Sequence, residues 1–141
     1  STYFDKKAMK TLSLRSNVVA VVELRDGKLS AEVSGFSQPQ QQVSVPRANP
    51  VTFIFRNFDA AEHRMVAYLG TAAAATPADG EMAGKHGDSN ETCTQLIPQG
   101  AEQALTITYN KPSIAQEAAK DEPFTLSVAG LAGQSIRVVV P

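Results

Sequence analysis

The chain has 141 residues, enough for one domain around one hydrophobic core. Apolar residues make up 43% and charged residues 19%, a balance too apolar for a disordered chain. Its 13 basic and 14 acidic side chains leave a net charge of −1, which gives no electrostatic footprint for nucleic acid or an anionic membrane.

Residues 1–16 read as an N-terminal arm ahead of a single domain at 17–141. Lys6, Lys7, Lys10 and Arg15 make the arm basic, yet so few charges bind polyanions weakly, so it reads as a solvated face. Ser1 to Lys10 lacks the apolar stretch of a signal peptide, and the missing initiator Met points to a processed chain whose signal has been removed. No apolar run approaches the ~20 residues that span a bilayer, so no transmembrane segment is expected.

Val18-Val19-Ala20-Val21-Val22-Glu23-Leu24 is rich in β-branched residues and reads as a buried first strand. Asp26-Gly27 supplies the positive φ values of a tight hairpin turn. The return strand alternates, with Leu29, Ala31 and Val33 inward and Ser30, Glu32 and Ser34 outward. Val43 and Val45 keep that period, and after the Ala48-Asn49-Pro50 turn Val51, Phe53 and Phe55 face the core. Met65 to Leu69 gives a fifth strand. Beyond residue 100 the alternation resumes at Leu105, Ile107 and Tyr109, at Phe124, Leu126 and Val128, and at Ile136, Val138 and Val140. About eight short strands separated by turn signals make an all-β sandwich or barrel.

Two segments interrupt the pattern. Ser113 to Lys120 carries Ser at an N-cap position and Gln116 three residues later, which predicts one short helix stopped before Pro123. Residues 70–93 form one long loop rich in Ala, Gly, Thr and Asp, and loops of that length are functional or disordered. Cys93 is the single cysteine, so no intrachain disulfide forms. No Ser, His and Asp cluster, paired carboxylates or phosphate-binding glycine motif is present, so no catalytic residue is assigned and the chain is not read as an enzyme.

Residues 36–68 carry a more specific signal. Phe36-Ser37-Gln38-Pro39 and Gln42-Val43-Ser44-Val45-Pro46 precede the strand Val51 to Phe55, which runs into Asn57-Phe58-Asp59-Ala60-Ala61-Glu62-His63. This stretch resembles the first half of a cupredoxin, the small blue-copper β-sandwich family. Residues 97–140 resemble the second half more weakly, through Pro98-Gln99-Gly100 and through Gly130-Leu131-Ala132-Gly133, which is similar to the family's Gly-Met-x-Gly turn. The resemblance implies a Greek-key antiparallel sandwich, a first copper ligand at His63, and Cys, His and Met ligands from one loop near the C-terminus. Residues 94–141 contain no Cys, His or Met, and Leu131 stands where Met is expected.

A blue-copper centre needs a thiolate and two imidazoles with a weak axial ligand, and that loop supplies none of them. The expected function is therefore a non-enzymatic, extracytoplasmic protein, periplasmic or on the cell surface, that lacks the blue-copper site. It serves as a binding or assembly subunit, and its partners are other protein chains in a homo-oligomer or multisubunit complex. Ser1 to Arg15 and Gly70 to Cys93 are its expected contact surfaces, since Tyr3, Phe4 and Met9 have no evident place in an eight-strand core. The alternative is a copper-binding protein with a rearranged site made of His63, Met82, His86 and Cys93, the soft and imidazole donors that select copper(I).

Overall fold

The period-two alternation becomes two stacked sheets in the computed structural model, which describes residues 17–70, 74–82, 90–110 and 124–141. In chain order the strands are β1 (Asn17–Arg25), β2 (Lys28–Glu32), β3 (Gln42–Ser44), β4 (Pro50–Asn57), β5 (Met65–Tyr68) and β6 (Ala75–Pro77). There follow β7 (Glu81–Met82), β8 (Glu91–Cys93), β9 (Glu102–Tyr109), β10 (Phe124–Val128) and β11 (Ser135–Val139). The first sheet has the order β2-β1-β4-β9-β6 and the second β3-β11-β10-β5-β8-β7. The expected helix at Ser113 to Lys120 and the arm at 1–16 lie outside the described residues.

Two expectations change on contact with this topology. The sheets are mixed rather than purely antiparallel, because β1 pairs in parallel with β4 and β11 with β3. The chain leaves the first sheet after β2, runs through β3 in the second, and returns to lie beside β1, and that crossover sets the two strands in the same direction. The stretch 70–93 is also not one continuous loop, since it contributes β6, β7 and β8. Strands of two or three residues are too short to show a period in the sequence.

The core lies between the sheets. Val22, Leu24, Leu29, Phe53, Phe55, Met65, Leu105, Ile107, Leu126 and Ile136 are all fully buried there. In β1 the register shifts between Val18 and Ala20, so that Ala20, Val22 and Leu24 point inward while Val21 is only half-buried. The run of valines is thus a one-sided strand rather than one buried on both faces. Asp26 (φ 53°) and Gly27 (φ 74°) form the expected tight hairpin turn between β1 and β2.

A different device links the two sheets on each side of the sandwich. Beside β2, Gln134 Oε1 accepts from the Leu29 amide (2.9 Å) and Gln41 Nε2 donates to the Leu29 carbonyl (3.1 Å). Ala31 and Gln40 exchange two backbone hydrogen bonds next to them, so this edge offers little to an incoming strand. On the other side Ala78, Asp79 and Gly80 cross between the sheets. Asp79 accepts the Thr106 amide on its carboxylate (2.8 Å) and the Thr92 hydroxyl on its carbonyl (3.2 Å). Burial raises the Asp79 pKa above its ordinary value, and the Thr106 hydrogen bond partly offsets that rise. Gly80 has φ +99°, and a Cβ there would come within 2.9 Å of Thr92, Leu105 and the Cys93 carbonyl, so only glycine fits the crossing.

At the end of the sandwich away from Asn57, Tyr109 stacks edge-on against Phe53 (6.4 Å) and Phe124 (4.8 Å). Its hydroxyl is buried with no hydrogen-bond partner among the described residues, and burial pushes its pKa well up. An unsatisfied buried hydroxyl costs roughly 1–3 kcal/mol. Tyr109→Phe keeps both ring contacts and removes that cost. Chemical denaturation of this variant will show stability equal to or about 1 kcal/mol above the parent.

Candidate functional site

The odd-numbered residues of β4 face inward, so Phe53 and Phe55 are followed on the same side by Asn57, a polar side chain at the mouth of the core. Asn57 is fully buried, and burial without partners would be costly. Its Nδ2 donates to the carbonyls of Ala61 and Ile97, both at 2.8 Å, and its Oδ1 accepts the Asp59 amide at 3.0 Å. Its backbone is held too, by bonds to Ala101 (3.2 Å) and Gly100 (2.7 Å). One side chain therefore folds residues 58–61 back on themselves and ties that turn to the segment ahead of β9.

Asp59, placed by that turn, reaches the β1–β2 hairpin. Its two carboxylate oxygens accept the amides of Asp26 (2.6 Å) and Gly27 (2.9 Å). These are charge-assisted bonds to the two residues that hold positive φ. Phe58 donates its amide to Leu24 (2.9 Å), and the Arg25 guanidinium lies 4.0 Å above the Phe58 ring. The sequence signal for Asp59 was weak, since an Asp after Asn reads only as a turn residue.

His63 is half-buried and exchanges two backbone hydrogen bonds with Ile97, at 3.1 and 2.8 Å. Arg64 accepts the Ala129 amide on its carbonyl (3.1 Å), which sets the loop between β10 and β11 next to His63. That loop reads Ala129-Gly130-Leu131-Ala132-Gly133-Gln134, with Gly130 at φ 86° and Gly133 at φ 83°. Leu131 packs against the core, and Gln134 is anchored to β2 as described. Here the resemblance leads one to look for thiolate, imidazole and thioether. The residues of this loop are alanine, glycine, leucine and glutamine. A blue-copper group does not fit that donor set.

The four donors named for a rearranged site are not drawn to one point by the described structure. Met65 faces the core and Val66 faces outward, and Val66 is the register partner of both Ser127 and Cys93. Cys93 therefore lies on the outer face of the second sheet, buried, beside a cavity of about 290 Å³ bordered by Arg64, Val66, Ser127 and Ala129. His63 precedes β5, in an isolated bridge with Ile97, which lies four residues past Cys93 in the chain. Met82 occupies the β7 position opposite Thr92, and His86 lies outside the described residues. Among the described residues, no group of three or more His, Cys, Asp or Glu side chains is placed to hold a metal ion.

No protein-family model matches the chain, and no curated protein sequence matches it either. Solved structures do. A dithionite-reduced auracyanin from the photosynthetic bacterium Roseiflexus castenholzii is 16% identical, with 90% of this chain and 98% of that one covered and a TM-score of 0.55. Auracyanin B is 18% identical, with 90% and 96% covered and a TM-score of 0.53. Auracyanins are cupredoxins, and the fold of this chain is cupredoxin-like. At such identities the likeness speaks for the fold alone.

Removing the Asn57 side chain tests how far this end depends on it. Asn57→Ala loses three hydrogen bonds and takes this partner from the Ala61 carbonyl and the Asp59 amide, while the Ile97 carbonyl keeps the His63 amide. The expected loss is about 2–4 kcal/mol, read as a lower midpoint in urea at unchanged slope.

Proposed function

We propose that this chain is a non-enzymatic, extracytoplasmic protein that uses a cupredoxin-like scaffold for binding or assembly, without a blue-copper centre. The observation that carries the reading is the loop at 129–134. It is fixed beside His63 by the Ala129–Arg64 bond, closed from within by Leu131, and tied to β2 by Gln134. An electron carrier of this architecture needs sulfur and imidazole from that loop, and the residues there cannot supply them.

The absence of catalytic constellations in the sequence supports the non-enzymatic part. The extracytoplasmic part rests on analogy with the fold, and in keeping with it no described helix is long and apolar enough to cross a membrane. The binding or assembly role rests on the sequence, in which a basic arm precedes β1. The alternative remains a rearranged copper site of His63, Met82, His86 and Cys93, with Cys93 buried beside the cavity at Arg64 and Val66.

Titration of the metal-free protein with copper(II), followed by visible absorption, tests the reading. The expected spectrum has no intense charge-transfer band from thiolate to copper. A strong blue or green band that saturates at one copper per chain would contradict it.

A further inference from the structure

The sandwich is closed on the β2 side, but on the other side one stretch of strand edge has no backbone partner among the described residues. In β9 the odd-numbered residues bond to β4, as the Asn57–Ala101 hydrogen bond and the register show. The even-numbered residues turn their amides and carbonyls away from β4. Thr108 and Thr106 find β6 and the Ala78–Asp79 crossing there. The chain then leaves at Gly80 for the second sheet, and Ala104 and Glu102 face the position that β6 has vacated. Among the described residues, neither has a backbone partner on that side.

A half-open strand edge in line with β6 is a template for β-addition. We propose that residues 102–105 of β9 receive residues 11–15 of a second copy of this chain as an added strand. The inference rests on the assembly reading above and names the surface it would use.

Three observations favour that occupant. First, Leu12 and Leu14 alternate with Thr11, Ser13 and Arg15, the period-two pattern of a strand with one apolar face. Second, the charges match. Lys6, Lys7, Lys10 and Arg15 against Asp5 give residues 1–16 a charge of +3, which leaves −4 on residues 17–141 of a chain whose total is −1. Third, geometry favours the copy over the chain's own arm. Asn17 is level with Val51, whereas Ala104 pairs with Ile54. The arm would have to pass β4 and β9, ~14 Å across and ~10 Å along, before it met the open edge. That path uses about five residues, the same ones that carry the alternation. In a neighbouring copy those residues remain available for pairing.

The test is sedimentation of the full 141-residue chain over a range of concentrations. Ala104→Pro removes the amide that points to the open edge and leaves the β4 ladder intact. The pair Leu12→Asp with Leu14→Asp alters only the arm and serves if the proline variant fails to fold. The parent is expected to self-associate, with the Ala104 amide exchanging more slowly as concentration rises. Each folded variant should associate at least about tenfold more weakly. If both the folded Ala104→Pro chain and the arm variant associate like the parent, the edge is not the site, while the assembly reading stands. A parent that stays monomeric throughout also overturns the inference, and the copper titration remains the separate test of the reading.

Discussion

Everything at the His63 end of this molecule depends on how one buried amide side chain is satisfied. The alternation of β4 delivers Asn57 into the core mouth, where a polar group must find partners or destabilise the fold. Its three side-chain hydrogen bonds define the turn at 58–61, place Asp59 under the β1–β2 hairpin, and hold Ile97 opposite His63. The turn, the hairpin and the start of β9 are thus one hydrogen-bonded unit. Net contributions of about 1 kcal/mol per bond make that unit a sizeable part of a marginal total stability.

On the reading proposed here, this end of the scaffold is held by hydrogen bonds and packing. A coordinated ion would link His63 to the loop between β10 and β11 through donor atoms. In this chain the link is made by the Ala129–Arg64 backbone bond, by Leu131 against the core and by Gln134 on Leu29. Apolar packing and hydrogen bonds are adequate for that job, because they only have to hold a loop, whereas electron transfer needs a redox centre.

Much of the scaffold was legible in the sequence. Asp26-Gly27 announced its turn, the alternation at Leu29–Ala31 and at Phe53–Phe55 announced the core, and Asn57 through His63 announced the fold. What escaped were features set by non-local geometry. The parallel pairing of β1 with β4 depends on a crossover through the other sheet. β6, β7 and β8 are too short to show a period and are held by Asp79 and by a crossing that only Gly80 fits. Gln41 and Gln134, which close one side, look in the sequence like ordinary polar loop residues. For the candidate site the sequence named donors by chemistry alone. It could not show that Cys93 pairs with Val66 while His63 pairs with Ile97.

The central claim is that Asn57, rather than the turn's own propensity, organises the end of the sandwich that holds His63. Amide hydrogen exchange on Asn57→Ala addresses it residue by residue. The account predicts that protection at His63, Ile97 and Gly100 falls by about tenfold or more beyond any change at Val22 and Leu105 in the sheet interior. Unchanged relative protection at His63 and Ile97 would contradict it, because the turn would then be holding itself.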